Sequence, residues 1–455
     1  MKKLKIILIF LICFCNRHLQ GQPSEYTVGG WVEVTPLGGG KYQIDNQLLM
    51  SMAALQYGVY TTHPYRIRLD TSVQFKVIDS SGKSITIPAK LMYGYLFSQR
   101  DTSNQWLDYG RYYHHHFYKN QFRCTLDLND PIIKSSININ SPYLDFYCDF
   151  TAQSYRNLVF NKNNSMVYTQ QSPIARTRLY LKELTQNEKS LVFANCAISK
   201  FADYDSANFR ASNYYNPGVY GKYGDSVFME LVQPEDSYFP NSYKSGYSAT
   251  LPAYSYCPDG TNNCAANPNT VPAQGFYFNG QTGDMVFTST KPWQYVRFSI
   301  KAHHYRKNSV GQWRYLGFST LHQGMTTAPD HPYKTDSFQF ALFPLFVLPK
   351  KIMLCEGDSF STTIKTTVTK IREKYTASVA GNFPNASVTT DYSTGNSTPT
   401  FRLKVVAKKG DNSSAPGIVT LRVHADSNWT RGEAARSVPV YVYKPINPEI
   451  AITTN

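Results

Sequence analysis

The chain has 455 residues, enough for about two to four domains with separate cores, and 42% of them are hydrophobic, which excludes an intrinsically disordered chain. It contains 35 tyrosines and 26 phenylalanines but only 17% charged residues, a composition that favours pleated sheets whose tyrosine hydroxyls stay in water. The formal net charge is +15, yet the basic residues are scattered along the chain, which disfavours a nucleic-acid-binding protein.

The first residues have the pattern of an export signal. Lys2, Lys3 and Lys5 precede an apolar run over residues 6–15 that is too short to span a bilayer. We therefore expect a signal peptide over residues 1–21, which is cleaved near residue 21 or 22.

Cys13 and Cys15 raise the alternative of a lipoprotein. Attachment of a lipid normally requires a small residue just before the cysteine, and Ile12 and Phe14 stand there instead. Cleavage without lipidation is the favoured interpretation.

The mature chain has no predicted membrane span and keeps a basic excess. No other stretch reaches eighteen uninterrupted apolar residues. Without the signal, 42 basic residues stand against 31 acidic ones, a net charge of +11. Such a charge favours attraction to an anionic polysaccharide, to lipopolysaccharide or to a membrane surface.

The N-terminal part, which we assign to a β domain over residues 22–180, shows a series of strands. Several short stretches alternate apolar and polar residues, and turn residues separate them. The strands are at 31–34, 42–44 and 73–77, with turns at Gly38-Gly39-Gly40 and Ser80-Ser81-Gly82. Hairpins are the expected structure here.

A middle domain is predicted over residues 181–346. Long loops are expected around residues 214–215 and 238–256, which are rich in tyrosine, asparagine and serine, and residues 187–194 form a modest helix candidate. Regular patterning then returns as a hairpin and a long strand. The hairpin strands are at 276–278 and 285–287, and the long strand is at 295–301.

A third domain is predicted over residues 347–445, followed by a tail at 446–455. Strands at 400–405, 418–423 and 438–443 have the spacing of a β-sandwich, and about 100 residues suit an immunoglobulin-like fold. The fold class predicted for the whole chain is all-β, with tandem β-sandwich domains.

Six cysteines remain after removal of the signal, an even number that predicts disulfides in an oxidising compartment. Cys257 and Cys264 enclose a short segment with turn residues, so we expect these two to be joined. The connectivity of the other four stays open.

One motif imitates the nucleophile block of a GDS-type esterase. Residues 357–359 read Gly-Asp-Ser, but a strand pattern follows Ser359 where such an enzyme needs a helix, and His424 is the only later histidine. Residues 224–226 repeat the letters before a predicted strand at 227–232. We interpret both as turns.

Metal and cofactor motifs are equally weak. Residues 114–116 and 303–304 are consecutive histidines, and consecutive residues of a strand face opposite ways, so an aromatic-rich loop in water is the favoured interpretation of the triplet. Residues 203–205 and 259–263 resemble calcium loops only loosely. No cofactor or metal is predicted. Paired catalytic carboxylates stay open, because folding brings them together from distant positions.

Several segments together, in their order, resemble one group of bacterial surface proteins. They are residues 28–34, 40–44, 221–234, 278–288, 296–306 and 354–358. Their Gly-Gly strand, acidic turn and Thr-Gly hairpin are similar to those of Bacteroidota surface proteins with PKD-like and cadherin-like repeats, many of them gliding-motility-associated. The resemblance implies PKD-like sandwiches and an adhesin-type role. Gly221 and Tyr223 stand where acidic residues are expected, so no calcium site is carried over.

Together these observations predict a non-enzymatic, exported binding or structural module at the cell surface or outside the cell, with the periplasm as a further location. Its expected partner is an extracellular polysaccharide or an envelope protein. The alternative is a polysaccharide-processing enzyme or a carbohydrate-binding accessory protein, since tyrosine and tryptophan rings can stack on sugars. The predicted ligand contacts are Tyr214, Tyr215, Tyr238 and Tyr247.

Overall fold

The computed structural model describes most of the chain after the predicted signal peptide. The described residues are 25–54, 74–97, 114–149, 174–181, 183, 188–194, 201–204, 212–235, 243, 245–261, 263–290, 295–329, 348–365, 374–391, 400–426 and 431–445. The signal peptide, the tail at 446–455, Cys196 and Tyr238 lie outside them. Within the described part, nearly all regular structure is β-strand, which confirms the all-β prediction.

The strands are numbered in chain order. The first part comprises β1 (Glu25–Gly38), β2 (Lys41–Ala54), β3 (Gln74–Asp79), β4 (Ser84–Pro88), β5 (Lys90–Phe97), β6 (His114–Asp127), β7 (Tyr143–Asp149), β8 (Ile174–Tyr180), β9 (Val192–Phe193), β10 (Phe201–Tyr204), β11 (Asn213–Tyr215) and β12 (Val219–Tyr220). The second part comprises β13 (Ser226–Val232), β14 (Tyr277–Phe278), β15 (Met285–Phe287), β16 (Tyr295–Lys307), β17 (Trp313–Pro329), β18 (Ile352–Cys355), β19 (Ser359–Lys365), β20 (Lys374–Ala380), β21 (Ala386–Asp391), β22 (Thr400–Val406), β23 (Gly417–Asp426) and β24 (Arg431–Tyr443). One short helix, α1, covers Pro131–Ser136.

A twelve-stranded sheet organises the chain up to residue 329. Its main order is β4-β3-β7-β8-β17-β1-β2-β6-β5. In addition, β10 and β16 each pair with β17, and β13 pairs with the other edge of β16. The long strand β17 therefore bonds to strands from both the first and the second predicted domain. Hydrogen bonds thus cross the boundary expected at residue 180, and the division into domains stays a prediction.

The hairpin expected at the glycine triplet is confirmed. β1 and β2 pair antiparallel on either side of it, and Gly38, Gly39 and Gly40 have φ angles of 87°, 58° and 77°. Glycine adopts such angles without the steric cost that other residues incur, so three in succession specify this turn.

The C-terminal strands form a two-layer sandwich, as predicted. One sheet has the order β18-β24-β23-β20 and the other β19-β22-β21. Phe401, Leu403 and Val405 alternate along β22 and are buried in the core between the sheets. The four-stranded sheet packs against the preceding part of the chain, where the Arg422 guanidinium lies 3.9 Å from the centre of the Tyr220 ring.

Two local predictions about helices were wrong. Where a helix was expected at 187–194, the described residues hold the short strand β9, which pairs with β12 and buries Phe193 against Trp31. Helix α1 was not predicted, although its signals are present: Asp130 accepts a hydrogen bond from the Ile132 amide as the N-cap, and Pro131 occupies the first turn.

Candidate functional site

One face of the large sheet carries aromatic and charged side chains across five neighbouring strands. β13, β16, β17, β8 and β7 lie side by side, and their pairing sets Phe228, His303, Phe318, Arg178 and Asp145 in one cross-strand row. The alternate residues of these strands point to the opposite face and form the hydrophobic cores. The outward face is therefore built from strands far apart in sequence, and Phe318 and Asp145 lie buried beneath its other side chains.

A glycine makes the close approach of β17 and β8 possible. Gly317 has a φ of 135°, and a Cβ at this position would lie 1.9 Å from the carbonyl oxygen of Arg178. The register of β16 and β17 shifts beside it, between His304 and Tyr305. This β-bulge sets the positions of the rings that follow on both strands.

Five rings form a continuous cluster on this face, which we call the aromatic band. Tyr143, Tyr180 and Tyr315 follow one another, and both Tyr305 and His303 contact Tyr315. The ring centres are 5.6 Å apart for Tyr143–Tyr180 and for Tyr180–Tyr315, and 5.1 Å apart for Tyr305–Tyr315. The planes of these pairs are tilted by 56°, 60° and 45°. All five rings are half-buried, and burial raises the pKa of Tyr315 above its ordinary value. Tilted, mutually packed rings are held in place before any ligand arrives.

Two arginines close one end of the band around a single carboxylate. Arg178 binds both oxygens of Asp145, with Nε–Oδ1 and Nη2–Oδ2 distances of 2.7 Å, and Arg176 Nη2 lies 2.7 Å from Oδ2. The Arg178 guanidinium also lies 4.0 Å from the centre of the Tyr143 ring. These contacts raise the pKa of Arg178, chiefly through its hydrogen bonds to Asp145. Arg176 also lies 3.5 Å from Glu235, so two cations face two carboxylates at this end of the band, and the ion pairs hold both guanidinium groups in place.

His303 links the other end of the band to a second carboxylate. Its Nε2 lies 2.9 Å from Glu230 Oε1, and its Nδ1 lies 2.9 Å from the Tyr315 hydroxyl. The Lys301 Nζ stands 3.6 Å from the same Glu230 oxygen and 4.5 Å from the centre of the Phe318 ring. The hydrogen bond from His303 is the main cause that lowers the pKa of Glu230.

The two consecutive histidines face opposite ways, as predicted. His303 belongs to the band, whereas the adjacent His304 is buried on the core side, where its Nε2 lies 2.6 Å from Asp225 Oδ2. Among the described residues, no group of three His, Cys, Asp or Glu side chains could hold a metal ion. The histidine triplet at 114–116 was expected in a loop, but it opens strand β6, because its backbone pairs with β2.

The structure contains the expected Cys257–Cys264 disulfide, with a Cα–Cα distance of 5.9 Å. Cys124, Cys148 and Cys355 are not part of a disulfide, and Cys196 lies outside the described residues.

The tyrosines predicted as ligand contacts make internal contacts where they are described. The Tyr214 hydroxyl donates to Asp284, and its ring lies 4.5 Å from the Arg436 guanidinium. Tyr215 donates to Gln323 Oε1 at 2.8 Å, and Tyr247 packs edge-on against Tyr254 at 4.7 Å. A ligand-binding role of these rings stays a prediction, as does that of Tyr238.

The esterase-like motifs are turns, as expected. Ser359 opens strand β19 two residues after Gly357, whose φ is 95°, and the Asp358 amide donates to the Cys355 carbonyl. Likewise Ser226 opens strand β13.

Sequence reasoning missed the aromatic band, although part of its signal is visible in the chain. Tyr143-x-Asp145-x-Tyr147, Arg176-x-Arg178-x-Tyr180 and Lys301-x-His303-x-Tyr305 each place aromatic and charged residues at every second position. This pattern describes a strand whose outward face is aromatic and charged. Which strands lie next to each other, however, follows only from the sheet order.

No family model matches the sequence, and no curated protein matches it. Solved structures show slight likeness. An ICAM-5 D1–D4 ectodomain fragment is 8% identical, with 91% of this chain and 77% of that chain covered and a TM-score of 0.17. The D00-D0 domain of intimin is 11% identical, the match covers 55% of this chain and 98% of that chain, and the TM-score is 0.15. A SusE-like, surface-located polysaccharide-binding protein from the heparin utilisation locus of Bacteroides thetaiotaomicron is 9% identical. The match covers 92% of this chain and 55% of that chain, with a TM-score of 0.16. TM-scores this low support no conclusion about function, and the all-β fold is assigned from the strand pairing of this chain.

Proposed function

We propose that this protein is an exported, non-enzymatic binding module that contacts an extracellular polysaccharide through the aromatic band. The observation that carries the proposal is the continuous cluster of five rings over four adjacent strands, with two fixed guanidinium groups at one end. A continuous surface that extends over four strands suits an extended polymer better than a compact small molecule, which normally binds in a concave pocket.

The chemistry of the band suits sugars in particular. Aromatic rings offer apolar area to the C–H faces of a sugar, while tyrosine hydroxyls and guanidinium groups offer hydrogen bonds to its oxygens. Because the band is already packed and Arg178 is already bonded to Asp145, little side-chain freedom is lost on binding.

The carboxylates of this face favour binding over hydrolysis. A glycosidase needs a carboxylic acid whose pKa is raised so that it keeps a proton for the leaving group. The pKa of Glu230 is lowered instead by its hydrogen bond to His303, and Asp145 is bonded to two arginines. Both groups therefore act as anchors for the neighbouring cations.

Export is supported by the sequence pattern at residues 1–21. The resemblance of several segments to Bacteroidota surface proteins supports a location at the cell surface. In the described part, the single helix has six residues, so no described helix could cross a bilayer.

Two exposed rings that flank the band allow a test with little risk to the fold. Phe228 and Trp313 are 50% and 45% exposed, and the centres of the Phe228 and His303 rings are 6.3 Å apart. The double variant Phe228→Ala/Trp313→Ala should bind a glycan found by array screening about thirtyfold more weakly, since each of the two aromatic contacts contributes on the order of 1 kcal/mol. The matched control is Met353→Ala, which removes an apolar side chain of similar exposure, 54%, from the C-terminal sandwich.

The same screen includes a search for hydrolysis of glycans and esters. Equal affinities of the double variant and the control would refute binding at this face. Turnover of a glycan that a single carboxylate substitution abolishes would replace the binding module with the alternative enzyme, and a protein ligand that depends on the band would replace the polysaccharide.

A further inference from the structure

The basic excess of the mature chain is concentrated in the C-terminal sandwich. Residues 348–445 contain 14 Lys and Arg against 7 Asp and Glu, a net charge of +7. Residues 22–347, more than three times as long, contain 28 against 23, a net charge of +5. The attraction of the protein for anions therefore comes mainly from its last domain.

The outer face of the three-stranded sheet of this sandwich displays part of that charge. On β22, Phe401, Leu403 and Val405 point into the core, and the alternate residues Arg402 and Lys404 are exposed. The neighbouring strands contribute short hydroxyl side chains and one further lysine. We call this surface the basic hydroxyl face: Ser361, Thr363, Lys365, Ser387, Thr389, Arg402 and Lys404, all of them exposed.

The register places the cations along the middle of the face. Lys404 pairs with Ser361 on one side and Ser387 on the other, and Arg402 pairs with Thr363 and Thr389 in the same way. Arg402 and Lys404 are two residues apart on one strand, a separation of roughly 7 Å. Because the flanking side chains are short, a ligand can lie flat across the sheet and reach both cations.

The charges of this face are available to a ligand. Among the side chains that the structure describes, no carboxylate forms an ion pair with Lys365, Arg402 or Lys404. The one acidic position in register with the face is Asp391, whose backbone pairs with Thr400 at the Lys365 end. Within the described part of the sandwich, Arg402 Nε donates a hydrogen bond to the Ser361 hydroxyl at 3.2 Å, a neutral partner that leaves its charge uncompensated. On the aromatic band, in contrast, both arginines are paired with carboxylates, Arg178 with Asp145 and Arg176 with Asp145 and Glu235.

We propose that the basic hydroxyl face binds an anionic polysaccharide chain that carries carboxylate or sulfate groups. Arginine binds such groups with two parallel hydrogen bonds. The serine and threonine hydroxyls on either side can both donate hydrogen bonds to sugar hydroxyls and accept them. A bilayer fits less well, because the face holds no apolar side chain that could insert between lipids. This inference deepens the proposed function, on which it rests, but it uses residues of another sheet.

The test measures binding of the full mature chain to immobilised polygalacturonate and heparin, with dextran as the neutral polymer. In the test variant, Lys365→Gln/Arg402→Gln/Lys404→Gln, three charges are removed from the face. The matched control, Lys83→Gln/Lys90→Gln/Lys351→Gln, removes three exposed charges elsewhere. We expect at least tenfold weaker binding of the test variant to both anionic polymers, a change of less than about threefold for the control, and affinities that fall with added salt.

Several outcomes overturn the inference. Equal losses in the test and control variants would show that net charge alone attracts the polymer. Binding to vesicles that contain phosphatidylglycerol, but to neither anionic polymer, would assign the face to a membrane surface. A charge-conserving variant, Arg402→Lys/Lys404→Arg, should retain most of the affinity, and a loss as large as in the test variant would indicate damage to the sheet.

The two binding proposals fail separately. If Phe228→Ala/Trp313→Ala weakens glycan binding and the charge variant does not, the aromatic band stands and the basic hydroxyl face is wrong. If only the charge variant weakens binding, the face stands and the band is wrong.

Discussion

The buried carboxylate of Asp225 gives the sharpest prediction about stability. Its side chain is 1% exposed, and it accepts hydrogen bonds from His304 Nε2 at 2.6 Å and from Arg306 Nε and Nη2 at 2.7 and 2.9 Å. Backbone contacts join the same turn to the C-terminal sandwich, since the Gly224 amide donates to the Gly381 carbonyl at 2.7 Å. Removal of this carboxylate therefore disturbs both the sheet and the position of the last domain.

The substitution Asp225→Ala leaves the Arg306 cation and the buried His304 without their shared acceptor. Breaking a buried ion pair costs about 3–5 kcal/mol, and we expect about 3 kcal/mol here because Arg306 is 19% exposed and keeps a contact with Glu188. Burial opposes ionisation of Asp225, but the hydrogen bonds from Arg306 and His304 outweigh it and lower the pKa below the ordinary value of 3.8. A lowered pKa means that this stabilisation is complete above about pH 4 and is lost as the pH falls through the folded-state value.

Urea unfolding at neutral pH measures the loss, and limited proteolysis reports whether the C-terminal sandwich is released. Glu235→Ala is the matched control, because its carboxylate is 46% exposed and lies 3.5 Å from Arg176, which is also bonded to Asp145. A change below about 1 kcal/mol for Asp225→Ala, or a loss equal to that of the control, would refute the role assigned to this cluster.

Three further predictions concern the backbone, the disulfide and the last domain. Gly317→Ala should destabilise the sheet by more than about 3 kcal/mol, because the added Cβ meets a carbonyl oxygen of β8. The control Gly311→Ala, with open space around the added Cβ, should cost about 1 kcal/mol. Equal unfolding midpoints of the two variants would contradict this prediction. Peptide mapping without reductant should recover Cys257 linked to Cys264, and free thiols at both positions in exported protein would show that the bond does not form. Residues 348–445, expressed alone, should give a β-type circular dichroism spectrum and unfold cooperatively, since their core is self-contained; a disordered spectrum would show that it depends on the preceding sheet.

Sequence patterns predicted the local parts of this fold well. The hairpin at Gly38–Gly40 and the strands of the last sandwich follow from signals that lie within a few residues, namely glycine turns and period-two alternation. The missed helix at Pro131–Ser136 is too short for a periodic pattern, so only its Asp130 cap and its proline could have revealed it.

The candidate site was beyond such reasoning, because its parts are distant in sequence. Arg178 meets Phe318 across a strand pair that joins residues 140 positions apart, and Tyr143 reaches Tyr315 only through the ring of Tyr180. The expectation that ligand contacts lie in the tyrosine-rich central loops followed from composition alone. Composition shows how many rings a chain has, but strand order decides which of them share a face.

Hydroxyl-radical footprinting with mass spectrometry, in the presence and absence of a bound glycan, distinguishes binding at the aromatic band from binding at the central loops. We expect the glycan to protect the peptides that carry Tyr143, Tyr180 and Tyr315, while oxidation at Tyr247 in the central loops does not change. Protection confined to the central loops, with the three band tyrosines oxidised at the same rate in both samples, would contradict this expectation.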